Sequence, residues 1–398
     1  MKYELLELKQ ELKEELTHNI LPFWMDKMID DEHGGYYGQM TGKNHLVSNA
    51  PKGGVLNARI LWTFSSAALY FKNPLYTEYA KRAKEYIFDN FFDIENGGTY
   101  WMLNADGKPI ETKKQIYSQA FFIYALVEYY RVTGDKVSLD KAIKLFQLIE
   151  KYSFDHVNDG YFEAYSKDWK LLEDLYLNDK DSNEKKTMNT HLHILEAYTN
   201  LFRVWDDPLL ERQLRNLIEV FLFKIINSKT HHLDLSFDDK WDCKSTLVSY
   251  GHDIEAAWLL EEAALVLGDI DIIKKVQEVT LKIAEAASEG VQKNGSIINE
   301  KDYETGNVDT NCDWWPQAEA MVGFYTAYEM TKDELYAQKT LDAWEFINQF
   351  IIDKKHGEWH WSVSASGIVN EIDDKAGFWK CPYHNGRMCL ELMHRIHD

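Results

Sequence analysis

The sequence is short of positive charge, of cysteine and of long apolar runs. Lysine and arginine number 44 against 65 aspartates and glutamates, a formal net charge of −21. Such a surface repels phosphate backbones and anionic headgroups, which argues against nucleic acid and membranes as partners. A neutral or small ligand suits it better. The four cysteines, Cys243, Cys312, Cys381 and Cys389, are scattered with no CxxC pair. They read as reduced thiols rather than a disulfide framework. No apolar run approaches the roughly 20 residues of a membrane span. The opening segment MKYELLELKQELKEEL is charged and amphipathic, without the apolar stretch of a signal peptide. The expectation is a cytoplasmic protein.

Whole motif classes are missing as well. There is no P-loop, no GxGxxG after a strand and no GxSxG elbow, which removes nucleotide cofactors and serine hydrolysis. There is no HExxH and no Cys/His set at zinc spacing; the HxH and HxxE patterns supply ligand residue types only. No metal and no cofactor are expected. A chain of 398 residues usually divides into two or three domains. No Pro/Gly/Ser-rich linker divides this one, so one catalytic domain over residues 1–398 is expected.

Aromatic residues, by contrast, are abundant, with 13 Trp, 23 Tyr and 19 Phe. They fill a core, and indole faces also cover the C–H faces of sugar rings. Glycine-aromatic turns recur: DEHGGYYG, IENGGTYW, VNDGYFEAY, KNGSI and KHGEWHW, with a degenerate THHLDLSF near His232. Neighbouring turns lie roughly 60 to 75 residues apart, room for two helices and their loops.

Between the turns, helical patterns come in pairs. One member is amphipathic and charged, as in LDKAIKLFQLIEKY. The other is apolar nearly all round, as in NARILWTFSSAALYF, QAFFIYALVEYY, HLHILEAYTNLF, IEAAWLLEEAALVL, QAEAMVGFYTAYE and GRMCLELMHRI. Amphipathic helices lie on the surface and uniformly apolar ones inside. The expected fold is all-α, an (α/α)6 barrel of six inner and six outer helices with short β-hairpin and loop elements. Two polar stretches, 166–189 and 299–313, each precede an inner helix and read as surface loops or as an active-site lid.

The first turns of the inner helices carry Arg59, Tyr117, His193, His252, the pair Trp315 and Glu319, and His384. With helix directions alternating, all six inner helices begin at one rim, and these residues converge on one pocket. Capping chemistry places the starts: Asn189 or Thr190 before His193, Ser249 before His252, Pro382 before His384. The helix macrodipole favours a neutral ring at these positions, able to take and return a proton. His191 and His193 stand about 200° apart on a helix, so only one faces the lumen. Asn189, four residues before His193, shares its face. "HHLD" at His231 reads as turn chemistry. Arg59 reads as the one basic residue in an apolar inner helix, costly there unless paired or facing a polar cavity. Taken singly each histidine reads as a satisfied core residue; three at corresponding repeat positions point to function. Trp315 and Trp379 near the same rim suit sugar stacking.

Toroids of this class also hydrolyse glycosides with paired carboxylates, and Glu255, Asp313 and Glu319 keep that reading open. Histidines at the helix starts suit proton abstraction beside a carbonyl better. A third reading is a non-catalytic sugar-binding protein.

The segments KTMNTHLHILEAYTN, SYGHDIEAAWLL, DWWPQAEAMVGF and FWKCPYHNGRMCLE, with LNARILW near the start, resemble the signature segments of cellobiose 2-epimerases, a family within the N-acylglucosamine 2-epimerase superfamily. The resemblance spans nearly the whole chain. It implies metal- and nucleotide-independent epimerisation at C2 of the reducing-end glucose of β-1,4-linked disaccharides such as cellobiose or lactose, with aldose–ketose isomerisation as a neighbouring alternative. It further implies that His193 assists ring opening with Asn189 beside it, that His252 and His384 form the acid–base pair, and that Arg59 holds the enediolate. Tyr117, Trp315, Trp379 and Glu319 would contact the sugar, Glu255 would position His252 or a hydroxyl, and Trp258 would line the same face. A monomer is expected.

Overall fold

The computed structural model describes residues 1–176, 183–364 and 366–397. Among the described residues thirteen α-helices run in chain order. These are α1 (Lys2–Glu15), α2 (Leu21–Asp26), α3 (Gly54–Phe71), α4 (Pro74–Asn90), α5 (Ile116–Thr133), α6 (Lys136–Tyr152), α7 (Met188–Phe202), α8 (Pro208–Val220), α9 (Tyr250–Leu267), α10 (Ile270–Ala287), α11 (Trp314–Thr331), α12 (Glu334–Phe346) and α13 (His384–Arg395).

The apolar members α3, α5, α7, α9, α11 and α13 are buried along most of their length. Each packs on the next, and α13 returns to α3, which closes a ring. The amphipathic α4, α6, α8, α10 and α12 each cover the inner helix before them, and α1 covers α13. The charged N-terminal helix is therefore the sixth outer helix, and the fold is the (α/α)6 toroid. No described helix is long and apolar enough to cross a membrane.

The hairpins between inner and outer helices have a common chemistry. α3, α5, α9 and α11 end in a left-handed residue, such as Gly134 or Gly268, and the next helix starts at once with an acidic or amide cap; α7 ends in the right-handed Arg203 and takes a few more residues to reach Asp207. Asn73, Asp135, Asp207, Asp269 and Asp333 each accept the backbone N–H two residues on. This satisfies orphan helix donors and makes the reversals short.

The other rim holds the Gly-aromatic turns, and here the repeat is stricter than the sequence reveals. Six isolated bridges close them: Ile29 to Tyr36, Phe92 to Thr99, Phe154 to Tyr161, Ile226 to Leu233, Val291 to Ile297 and Ile352 to Trp359. After the first bridge residue comes Asp30, Asp93, Asp155, Asn227, Gln292 or Asp353. Buried lysines answer the aspartates: Lys52 lies 2.6 Å from Asp30, and Lys114 and Lys186 lie 2.8 Å from Asp93 and Asp155. Lys375 pairs with Asp353. The first three lysines stand two residues before their inner helices. Where the turn residue is Asn227 or Gln292, Val248 or Cys312 stands at the lysine position. Charge is thus present on both sides or on neither, as burial demands.

A second staple comes from the fourth residue of an inner helix. Gln119 brackets the backbone of Thr99, and Gln317 does the same to Ile297. Asp253 accepts from Leu233 N–H at 2.8 Å, and His191 Nε2 accepts from Tyr161 N–H at 2.9 Å. His191 Nδ1 donates to the Thr187 carbonyl, which fixes its neutral tautomer. His191 is therefore a clamp, and His193 faces the lumen. Gly160 shows how tight this rim is: it has φ +79°, and a Cβ there would meet Trp241 at 2.4 Å and His191 at 2.7 Å.

The stretch 299–313 contains a hairpin, Glu300–Asp302 against Val308–Asp309, whose first strand pairs with Leu247–Ser249 at the entrance to α9. Of the stretch 166–189, residues 177–182 lie outside the described residues.

Burial pulls the His191 ring down to about 3. A neutral buried histidine contributes stability at neutral pH that is lost as pH falls below the unfolded value, about 2 kcal/mol by pH 5. Glutamine makes the same clamp elsewhere in this fold, so H191Q should keep its urea midpoint at pH 7. It should also lose less stability than the parent between pH 7 and pH 5.

Candidate active site

The inner-helix starts converge as the repeat implies. Arg59 is buried on α3; its guanidinium donates to Tyr117 Oη at 2.9 Å and to the Trp379 carbonyl at 3.2 Å. It lies 4.3 Å from the Phe121 ring centroid and 4.7 Å from that of Tyr383. Its Nε has no partner. Tyr117 sets its ring edge-on to His193 at 4.9 Å and to Trp379 at 5.8 Å. Trp315 connects the other two histidines, 4.6 Å from His252 and 5.7 Å from His384. Asn189 is half-buried at the start of α7, and its Oδ1 is a buried acceptor without a donor.

Each of the three histidines has a defined partner on Nδ1. His193 meets Glu196 at 2.9 Å, His384 meets Glu319 at 2.7 Å, and His252 meets the Ser249 hydroxyl at 2.8 Å. A carboxylate only accepts, so His193 and His384 carry their proton on Nδ1 and turn Nε2 outward. Burial pulls all three rings below the ordinary histidine value, His252 to about 3 with a further push from His193.

Beneath the histidines lies a residue that the sequence reading passed over. Arg387, fully buried on α13, donates to Glu255 at 2.6 Å, to Glu319 at 2.7 Å, and also to Glu196. Its guanidinium lies over Trp258 at 4.7 Å and over Tyr383 at 4.3 Å. Trp258 Nε1 donates to Glu319 at 2.9 Å, and the Tyr383 hydroxyl donates to Glu196. Burial would raise the Glu196 carboxyl; Arg387, then His193 and Tyr383, hold it down near 2. Glu255 and Glu319 are pushed up, chiefly by burial, because one guanidinium serves both.

Several expectations need correction. Glu255 does not position His252; it faces Arg387, because it lies one turn deeper than the histidine. The Trp258 indole is anchored by its Nε1, which donates to Glu319. Ser249 precedes α9 but makes no side-chain capping bond. The cap of α7 is Thr187 rather than Asn189 or Thr190, and Pro382 lies outside α13, which begins at His384. Arg59 is not the one basic residue in an apolar inner helix. Arg387 stands in GRMCLELMHRI and carries the same signal, and Glu196 in HILEAY is the equivalent acidic one.

Oxygens of Glu255 and Glu319 and a ring nitrogen of His384 lie within 4.8 Å of one another, the one such metal-competent group among the described residues. The Arg387 guanidinium already stands against both carboxylates, supplying the positive charge that a metal ion would bring. The donor set therefore fits an internal ion-pair hub better than a metal site.

A toroid with three carboxylate- or hydroxyl-tethered histidines, two buried arginines and flanking indoles at one rim belongs to the helical class that handles sugars. Residues 34–385 match the family model of N-acylglucosamine 2-epimerase. The chain is 54% identical to a cellobiose 2-epimerase of Bacteroides fragilis, over 97% of this chain and 98% of that one. Among solved structures it superposes on cellobiose 2-epimerase of Bacillus thermoamylovorans with TM-score 0.94, at 41% identity over 98% and 99% of the two chains. A D-mannose isomerase shares the fold with TM-score 0.84 at 21% identity, over 97% of each chain. The chain belongs to the N-acylglucosamine 2-epimerase family.

Arg387→Met should leave the three carboxylates without their shared cation, at a cost of at least about 3 kcal/mol. Buried carboxyls with raised pKa lose stability as pH rises, so the deficit in urea unfolding should be larger at pH 8 than at pH 5.

Proposed function

We propose that this chain is a cellobiose 2-epimerase, inverting C2 of the reducing-end glucose in β-1,4-linked disaccharides without metal or nucleotide. Cellobiose gives glucosyl-mannose and lactose gives epilactose. The observation that carries the reading is the pair His252 and His384, brought from separate inner helices to the same indole, Trp315.

Inversion through a planar intermediate needs a proton donor on each face, or a rotation of the intermediate between donors, because a single base on one face would only exchange the proton it removes. The sugar ring opens first, with His193 moving the hemiacetal proton and the unpartnered Asn189 Oδ1 beside it. The open aldehyde acidifies the C2 proton. One of His252 and His384 removes that proton, leaving a cis-enediol, and the other delivers a proton to the opposite face. Arg59, with its unpaired Nε, stabilises charge on the enediolate oxygens. Trp315, Trp379 and Tyr117 pack on the sugar rings. Glu255, Glu319 and Trp258 act from beneath, through Arg387 and His384. The setting is cytoplasmic, the working unit a monomer and the domain one.

The hydrolase reading loses support because Glu255 and Glu319 share one guanidinium. Glu319 is further committed to His384 and Trp258, which leaves neither free as a general acid or nucleophile. Return of the proton to C1 instead of C2 would give the ketose, and product analysis separates the two outcomes.

In heavy water, proton NMR of cellobiose with the purified protein should show deuterium entering C2 and a mannose reducing end appearing, with no monosaccharide release. Absence of both changes would refute the reading. His252→Ala and His384→Ala should each lower turnover by about 1,000-fold or more while remaining folded by circular dichroism.

A further inference from the structure

We infer that Ser249 is a positioning residue for His252, and that its hydroxyl makes His252 and His384 unequal partners in proton transfer. The inference rests on the reading of those two histidines as the acid–base pair.

Ser249 occupies the N-cap of α9, where a serine ordinarily accepts a backbone N–H from the first turn and contributes about 1 kcal/mol. Here it makes no such bond. Its Oγ lies 2.8 Å from His252 Nδ1 instead, and the residue is buried. Thr187, the N-cap of α7, does accept from Thr190 N–H. Four other inner helices also begin without a side-chain cap, but at α9 the hydroxyl is turned to a histidine instead, a pattern found at functional positions. The backbone holds the hydroxyl in place, since strand Leu247–Ser249 pairs with Glu300–Asp302 and Ser249 stands opposite Glu300.

The partner decides what each ring can do. Glu319 only accepts, so His384 is locked with its proton on Nδ1, and the carboxylate stabilises the imidazolium. A hydroxyl carries no charge and can donate or accept, so His252 is neutral in either tautomer. The charged and titratable groups around His252 leave this unchanged. Burial, and His193 on α7 after it, oppose a charge on the ring and outweigh Glu319 on α11, which favours one. Glu255, on the same helix, is turned to Arg387 of α13.

In the reacting protonation state His252 is the neutral base and His384 the acid, holding a second proton, on Nε2, that burial opposes and Glu319 stabilises. The C2–H bond breaks, its electron pair enters the enediolate, and the proton passes to His252 Nε2 while Ser249 accepts from Nδ1. The proton on His384 Nε2 forms the new C2–H bond on the opposite face, leaving His384 neutral on Glu319.

Ser249→Ala, Ser249→Thr and Ser249→Asp, with 15N-labelled histidine, test this. Ser249→Ala should lower kcat about 30-fold with KM for cellobiose within about twofold, and Ser249→Thr should restore kcat to within about threefold of the parent. Ser249→Asp should stabilise the His252 imidazolium and move the acid limb of kcat/KM up by about one pH unit or more. In the unmodified protein at pH 7, the His252 ring nitrogens should report a neutral imidazole with a hydrogen-bonded Nδ1. A parental kcat and pH profile in Ser249→Ala, or an imidazolium signal for His252, overturns the inference. If the unmodified protein does not epimerise cellobiose, the functional reading fails, and the nitrogen spectra still decide whether Ser249 holds His252.

Discussion

One buried guanidinium organises the site. Arg387 joins carboxylates from α7, α9 and α11 to α13, so four of the six inner helices are tied through a single side chain. Removing three carboxylates from water is costly, and one cation repays only part of it. The remainder is met by neutral donors, Tyr383 on Glu196 and Trp258 on Glu319, and by the histidines themselves. The electrostatics of the floor thus dictate where the proton-transfer groups point. Two of the three carboxylates face both ways, downward to Arg387 and upward to a histidine.

Precision at the rim has a separate origin. The histidines sit in the first two turns of helices whose starts are held in different ways: α7 by the Lys186–Asp155 pair and the His191 clamp, α9 by the Asp253 clamp, and α13 by Lys380 and Asn385 on Glu358. These staples lie immediately outside the pocket, so their rigidity is transmitted over one or two residues. Charged pairs at four of the turns and uncharged residues at the other two leave none of these buried aspartates without its lysine.

The architecture was legible because it rests on periodicity. Apolar inner segments and charged outer ones differ in a way that helical burial enforces, and the Gly-aromatic turns mark the repeat even at the degenerate THHLDLSF. The convergence of His193, His252 and His384 followed from position alone. What stayed hidden was pairing. A sequence shows that Glu255 and His252 share a helix, but not that Glu255 is turned toward an arginine 132 residues away. Arg387 could have been found by the rule that singled out Arg59, a charge in an apolar inner helix, had the rule been applied to the last helix. The Ser249 hydroxyl lay beyond that reach, because an N-cap serine looks the same whether it caps or not.

The central claim is that each face of C2 is served by its own histidine, and hydrogen exchange without inversion tests it most directly. In heavy water, His252→Asn and His384→Asn should each fail to interconvert the epimers. Each should nevertheless exchange the C2 proton of one epimer, glucosyl-glucose for one variant and glucosyl-mannose for the other. If either variant still inverts C2, or if one variant exchanges both epimers, the two-histidine account is contradicted.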